Sequence, residues 1–328
     1  DLSAGWTAGT AAAMMGVAAT RHSWPWPLAI VVCLLTGAVV GTLIGLLVAR
    51  LGIPSFVVTL AAFLALQGVL LKTIGVGGTI PIRNSKLLAI NNNTMPVWLG
   101  WALFVIVIAA YALISLRRAA RRRAGGLASE GVSVVIGKVV VLAVLLGAVT
   151  AYLSTERSRN PQVSSIKGVP EVVLLLLVLL VGLNFVLSRT SFGRHVYAVG
   201  GNAEAARRAG INVKQIKLFC FMIGSTLAAV GGILLASRDN SISPTTGGAE
   251  TLLYAVGAAV IGGTSLFGGK GKILDAVLGG LVIAVIINGM GLLNQPSSVV
   301  YIVTGVVLLI AASVDALSRR RAQSTGRV

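Results

Sequence analysis

Apolar runs of about 20 residues recur along this chain, each long enough for an α-helix to cross a ~30 Å hydrocarbon core. Ten such segments are read, at roughly 5–20, 28–49, 54–72, 97–116, 134–153, 170–188, 217–237, 252–267, 273–293 and 299–317. Inside a bilayer every backbone polar group must be satisfied within the protein, so the segments are helices or the strands of a closed barrel. The runs are continuous rather than alternating, which excludes the barrel pattern. The expected fold is an all-α polytopic membrane protein, with one transmembrane domain over residues 1–328. Composition agrees: 56% of residues are hydrophobic and 11% charged, with a mean hydropathy of +0.92. That is too little charge to cover a soluble surface of this size. The first and eighth segments are short and rich in Gly and Ala, and are expected to be broken or re-entrant.

The net charge of +18 could suggest nucleic acid, but its distribution points to lipid. Placing the run at 117–123, RRAARRR, in the cytoplasm and alternating the segments puts 19 of the 27 Lys and Arg on the cytoplasmic side. This is the positive-inside pattern of membrane proteins, and nucleic acid is not an expected partner. The Trp-Pro cluster at 24–27 then lies at the outer interface, where Trp is favoured. Cys33 and Cys220 fall in apolar runs and are expected to be buried thiols.

The chain echoes itself. GAVVGTLIGLLVARLGIPSFVV (37–58) aligns with GGLVIAVIINGMGLLNQPSSVV (279–300) at one fixed offset. The charge-derived orientation makes the first copy run inward and the second outward. This is the pattern of an inverted repeat, the plan of many alternating-access transporters.

One polar stretch interrupts the apolar sequence: VYAVGGNAEAARRAGINVKQIK, residues 196–217, within a cytoplasmic segment 189–216. Gly200 and Gly201 are expected to break the chain, with Asn202 as N-cap. Glu204 lies in the first turn, and Arg207 and Arg208 in the last, matching the helix dipole. Gly210 followed by Ile211 reads as a C-cap with its hydrophobic contact. A helix of about two turns is not stable alone in water. Either it lies capped on the membrane surface, or its small side (Ala205, Ala206, Ala209) sits in the groove of another protein.

A second motif, AAVIGGTSLFGGKGK (258–272), carries Gly262, Gly263, Thr264, Ser265, Gly268, Gly269 and Gly271. It fails the phosphate-binding pattern G-x-x-x-x-G-K-[ST], because Lys270 is followed by Gly271. It reads instead as a tight break between helices, so ATP is not expected as a cofactor of this chain. No nucleophile–base set, metal spacing or other catalytic constellation is present, and the acidic residues lie mostly in loops or at segment ends. Catalytic and metal-ligating residues are therefore expected to be none. Uncharged polar residues within the segments, Asn288 first, then Gln67 and Ser225, are candidates for a path taken by a neutral polyol. The alternative for each is helix–helix packing.

FGRHVYAVGGNAEAARRAGINV (192–213) and AAVIGGTSLFGGKG (258–271), with LGG at 278–280 and the initial DLSAG, resemble the motifs of the sugar permeases of bacterial ABC importers. They fall in the family's order and cover most of the chain. The extra helix pair at 97–153, joined by the Arg run, is similar to the xylose-type branch. The resemblance implies a permease of the bacterial inner membrane, working as a homodimer on a pair of ATPase subunits that bind ATP and Mg. An extracytoplasmic sugar-binding protein would deliver the substrate. It also implies that residues 201–210 are the coupling helix seated on the ATPase, and that further spans precede Asp1. The sequence departs from the family at Leu252, Leu253 and Tyr254, where Glu-Leu-Asp is common, and Glu250 stands two positions early. A channel or facilitator working without ATP is the other class open to such a chain, and it would not need the capped helix.

Overall fold

The computed structural model describes residues 1–75, 78–126, 131–158 and 165–324, with side chains described as far as 313. Residues Asp1–Leu88 and Leu176–Val328 form one compact unit, and Ala89–Leu175 a second.

In the first unit, α1 (Ala4–Gly16) ends in a single π-helical turn (Val17–Arg21) and is followed by α2 (Trp26–Ala49) and α3 (Ser55–Ile74). α1 is the buried centre of this unit: Ala8, Ala11, Ala12, Ala13 and Met15 are all sealed from solvent. Its polar side chains are satisfied along the helix and across it. Thr7 donates to the Ser3 carbonyl and Thr10 to the Leu66 carbonyl of α3, each at 3.0 Å. Asp1 holds the start of the helix, accepting from the Ser3 N–H at 2.8 Å and from its hydroxyl at 2.6 Å.

α2 packs against α10 (Val213–Asp239) along a stripe of small residues every fourth position, Ala29, Cys33, Gly37, Gly41 and Gly45. Lipid tails are as apolar as side chains, so helix association in a membrane relies on close approach and dispersion contact. Here the approach is close: a Cβ on Gly37 would stand 2.6 Å from the Ser225 carbonyl, and one on Gly41 2.5 Å from that of Phe221. Residue numbers fall on α10 as they rise on α2, so the pair is antiparallel. Cys33 lies inside this seam, whereas Cys220, on another face of α10, is exposed. The expectation that both thiols are buried therefore holds for Cys33 alone.

Above α1, β1 (Ile80–Pro81) pairs antiparallel with β2 (Ser241–Ile242) in a short outer clasp, with Ile80 opposite Ile242. From the clasp, the chain descends beside α1 in the reverse direction. Ile242 touches the Gly16 position, Thr246 the Gly9 position, and Gly247 and Gly248 the Gly5 position. α11 (Ala249–Gly262) therefore starts inside the unit rather than at its outer edge. α12 (Ile273–Leu292) returns beside it, with Gly279 against Ala258 and Gly262 against Asp275, and α13 (Ser297–Ser324) follows.

This trace makes the echo a structural repeat. α2 runs inward from the outer clasp and α12 outward from the cytoplasmic loop, so the two copies are inverted. Both break at the same place. Gly52 (φ +75°) and Asn294 (φ +51°) occupy equivalent left-handed positions, and Pro54 and Pro296 begin the following turn. The short α1 and α11 are likewise equivalent, which accounts for the expected broken first and eighth segments. Among the described residues, seven helices are long and apolar enough to cross a membrane: α2, α3, α10, α12 and three introduced below. The other expected spans fall on the shorter α1, α11 and the apolar part of α13.

The second unit holds the C-terminal half of α4 (Ser85–Asn92), which the sequence reading missed, and the antiparallel pair α5 (Val97–Ala124) and α6 (Val132–Ser154). The start of α5 is joined to residues 168–170 by a bridge between Thr94 and Pro170 and by the Met95 N–H donating to the Val169 carbonyl at 2.7 Å, and these residues to the end of α6 by the Gly168 N–H donating to the Leu153 carbonyl at 2.8 Å. Their apolar side chains, Ile106, Val141 and Val144 among them, are exposed, as lipid-facing residues must be. α7 (Val172–Arg189) leads back into the first unit.

Candidate coupling surface and polar path

Two segments that are far apart in sequence meet at the cytoplasmic end of the first unit. After α7, Thr190 caps α8 (Ser191–Gly201), accepting from the Gly193 N–H at 3.3 Å. α8 was not foreseen, and it corrects the reading of Gly200 and Gly201 as a chain break. Both lie inside the helix, and the break comes at Asn202. Their smallness serves a contact instead. A Cβ on Gly200 would stand 2.7 Å from the Gly269 nitrogen, and one on Gly268 2.6 Å from the Gly200 carbonyl. The Tyr197 hydroxyl adds a hydrogen bond to the Gly271 carbonyl at 2.7 Å. The glycine-rich motif thus docks on the helix before the capped one.

The capped helix forms as its sequence dictates. α9 (Ala203–Arg208) starts with the Asn202 side chain accepting from the Ala205 N–H at 2.9 Å. It ends in a Schellman turn: the Ile211 N–H reaches the Ala206 carbonyl and the Gly210 N–H that of Arg207, both at 3.0 Å. Gly210 takes φ +84°, which a side chain would oppose. Glu204 pairs with Arg207 at 2.9 Å and Arg208 at 3.3 Å. The hydrogen bond from Arg207 comes first in holding its carboxyl below the usual range. α9 packs on α8 and α10. Ala206 faces inward and is buried in the chain's own core, so it is not available to a partner; Ala205 and Ala209 are exposed.

The glycine-rich loop has its own order. Asp275 accepts from the Lys272 N–H at 2.8 Å and from the Thr264 hydroxyl at 3.4 Å, and the Ser265 N–H donates to the Lys270 carbonyl at 3.0 Å. Gly263 terminates α11 with φ +107°. The loop tip carries Leu266 and Phe267, 61% and 73% exposed, a pair of apolar side chains presented outward on a polar face. Sequence reading passed over them because it followed the glycines. A cavity of about 530 Å³ lies between this loop, Tyr197 and the end of α7 at Asn184 and Ser188.

The three candidates for a polyol path are not brought together. Ser225 is fully buried in the α2–α10 seam, with its hydroxyl donating to Asp1 at 3.3 Å. Asn288 turns back to donate to the Ala284 carbonyl of its own helix at 2.8 Å. Gln67 lies on α3, and none of the three lines the cavities described in this protein.

A polar group lies on α11, at two of the positions where the sequence departs from the family pattern, Glu250 and Tyr254. Tyr254 donates to Glu250 at 2.7 Å, and Tyr301 of α13 donates to its other oxygen at 3.2 Å. On the register set by Gly279–Ala258 and Gly262–Asp275, Glu250 is level with Ile287, about 8 Å below the outer end of α12. A carboxylate at that depth is a marked exception to the expected loop and segment-end positions, and such groups line functional paths. On the equivalent half-helix α1, the Trp6 indole N–H is buried without a partner, its ring edge-on to Phe63 at 5.8 Å.

Inverted repeats with half-length helices starting inside the membrane, joined to a capped cytoplasmic helix, define a multi-pass membrane transporter. The comparisons place it further. The profile of the family described as branched-chain amino acid transport system, permease component, matches residues 1–312, and this chain belongs to that family. It is 37% identical over 98% of its length to the xylose transport system permease protein XylH of Escherichia coli K12, covering 79% of that protein. It is 35% identical over the same share to XylH of Haemophilus influenzae, covering 82%. Over 45% of the chain it is 41% identical to the ribose import permease protein RbsC of Escherichia coli K12, covering 46%. No solved structure matches it.

Proposed function

We propose that this chain is the membrane permease subunit of an ATP-driven importer for a monosaccharide, xylose or a related sugar, in a bacterial cytoplasmic membrane. The similarity to xylose and ribose permeases along the chain supports the sugar class. The observation that carries the mechanism is the cytoplasmic surface. α9 is capped at both ends, and Ala205, Ala209 and the Leu266–Phe267 tip are exposed near it. This is a rigid two-turn lever beside an apolar knob, suited to the groove of an ATPase subunit. ATP and Mg belong to that partner. A pair of ATPase subunits closes on ATP, pushes α9, and moves α8 together with the glycine-rich loop docked on it. Because that loop joins α11 to α12, the push reaches the inverted repeats, and access alternates. An external sugar-binding protein delivers the substrate, and a second copy of the permease completes the assembly.

The test is a double substitution on the exposed face, Ala205→Asp with Ala209→Asp. Neither side chain is buried in this chain, so insertion and thermal stability are expected to stay unchanged. Burying the new charges against a partner is expected to cost several kcal/mol. Co-purification of the ATPase subunit and sugar uptake should therefore both fall by more than about tenfold. Normal uptake by the double variant would remove α9 from the coupling path and favour a facilitator.

A further inference from the structure

The carboxylate of Glu250 belongs to a layer of hydrogen-bonding side chains that four helices of the first unit share. Gly257 abuts Leu308, and Glu250 meets Tyr301 seven residues earlier in each helix, so α11 and α13 run side by side in one direction. Tyr301 stands four residues, about 6 Å, into α13. The separate register of α11 on α12 puts Glu250 about 8 Å below the outer end of that helix. Two registers thus agree on its depth. Asn288 of α12, next to Ile287, falls at the same level and is exposed. Trp6 of α1 reaches this level too. A Cβ on Gly248, two residues before Glu250, would stand 3.2 Å from its six-membered ring.

These groups have bonding capacity that the chain does not use. An ionised carboxylate offers about four acceptor sites, and the phenols of Tyr254 and Tyr301 fill two. Among the described residues, no cation pairs with Glu250. Asn288 gives one N–H to its own helix and keeps the other, with its oxygen, for a further partner. The Trp6 indole is 6% exposed, and its N–H meets no acceptor. A clamp between α11 and α13 would need only a neutral acceptor, and a charge at this depth is costly unless water or a ligand meets it. A cation site would gather further anionic ligands, but the described residues hold no group of three His, Cys, Asp or Glu. One acceptor-only carboxylate, two phenols, an amide and an indole N–H at one depth match a neutral molecule with several hydroxyls.

We propose that this layer reads the hydroxyls of the sugar as it crosses the membrane, an inference that rests on the sugar-permease reading above. Glu250 accepts from sugar hydroxyls at its two open sites, and the Asn288 amide donates and accepts at the same level. Trp6 is sealed in this conformation. Its N–H donates to a hydroxyl oxygen when α1 and α11 part, and their contact there is only backbone on backbone, Gly5 against Gly247 and Gly248.

The experiment places the whole transport system, with this chain unaltered or substituted, in cells that otherwise lack it. Uptake of D-xylose is compared with uptake of its monodeoxy analogues. The external binding protein is the same throughout, so a change in the order of sugars reports the permease. With the unaltered chain, the analogue lacking the hydroxyl read by Glu250 should enter more than about tenfold more slowly than xylose. Glu250→Gln keeps the shape but loses acceptor sites. It should slow xylose by a similar factor and leave the rate of that analogue unchanged. Co-purification of the ATPase subunit should stay normal, which separates loss of this layer from loss of coupling at α9. Ser313→Ala removes a hydroxyl bonded to its own helix, three turns below Tyr301, and should keep the unaltered order of sugars. An unaltered order in Glu250→Gln overturns the proposal, as does an equal change in Ser313→Ala. A sodium requirement for uptake that Glu250→Gln abolishes would overturn it too, by making the carboxylate a cation site. Should Glu250→Gln fail to insert, Trp6→Phe decides in its place: a changed order of sugars at nearly constant thermal stability supports the layer, and an unaltered order overturns it. Uptake of neither xylose nor ribose by the unaltered chain would overturn the sugar reading itself, and this layer with it.

Discussion

The two copies of the repeat share a backbone and eight of 22 aligned residues, and differ in what surrounds them. Residues 37–58 and 279–300 both run a helix into a left-handed residue, Gly52 or Asn294, and restart it at a proline, Pro54 or Pro296. Their helices then meet different neighbours. α2 lays a stripe of small residues into α10, while α12 touches α11 closely at Gly279 and leaves Leu281, Val282 and Val285 exposed. The short helices differ in the same way. α1 is buried almost throughout, whereas α11 carries an exposed Glu250 that accepts from Tyr254 of the same helix and from Tyr301 of α13. Geometry at a helix break is set by a few backbone angles and survives the exchange of the left-handed residue itself, Gly52 for Asn294. Packing is set by side-chain volume, and diverges once each copy has its own neighbours.

The sharpest way to break this comparison is at the one seam position that the copies share. Gly37 and Gly279 are equivalent, and each abuts a backbone carbonyl: Ser225 for the first, Ala258 for the second. Replacing either with Leu forces two helices apart and is expected to cost about 3 kcal/mol or more. The yield of monodisperse protein in detergent should collapse for both. Gly280, one residue further on and with no atom near its Cβ position, should accept Leu with little loss. A Gly280→Leu variant as damaged as Gly279→Leu would mean that α12 has neighbours on its open side.

The next test sets the half-helices against each other. Trp6→Phe removes a buried donor that has no acceptor, a gain of about 1 kcal/mol, together with one of the two fused rings, whose loss from a buried site costs a similar amount, so thermal stability should change little. Tyr254→Phe removes a hydroxyl that serves a carboxylate at 2.7 Å, and should lower stability by about 1 kcal/mol. A loss for Tyr254→Phe with little change for Trp6→Phe would fit a closed core at α1 and a hydrogen-bonded surface at α11. Equal losses would mean that the Trp6 N–H has a partner, such as a water or a substrate hydroxyl.

Much of this was legible in the chain because the signals are local or cumulative. Twenty apolar residues in a row, Asn202 ahead of an Ala-rich run, and Gly210 before Ile211 each specify their own geometry without outside help. What was missed depends on contacts across the sequence. Nothing in AVGGNA tells that Gly200 lies against Gly269, so the pair read as a break rather than a contact. Ala206 looks like its neighbours Ala205 and Ala209, and only the packing of α9 on α8 and α10 separates the buried one from the exposed two. Glu250 read as a segment-end residue because the descent of residues 242–248 beside α1 leaves no mark in composition. Ser225 and Asn288 were chosen for polarity at mid-segment, but a hydroxyl in a glycine seam and an amide bonded to its own helix look alike in sequence.

The smallest effects are expected where the copies agree most. Exchanging the left-handed residues, Gly52→Asn and Asn294→Gly, leaves a residue type that tolerates positive φ at both breaks. No atom lies within 4 Å of the Cβ position at Gly52, so an Asn side chain meets no steric barrier there. Each exchange should shift stability by only a few tenths of a kcal/mol, near the resolution of thermal unfolding in detergent. Gly52→Val is the informative contrast, because a β-branched side chain opposes φ +75° and should cost about 1 kcal/mol or more. If Gly52→Val is damaging while Gly52→Asn is silent, the shared break is a backbone requirement. If both are silent, the left-handed turn at residue 52 is not what holds the first copy to the geometry of the second.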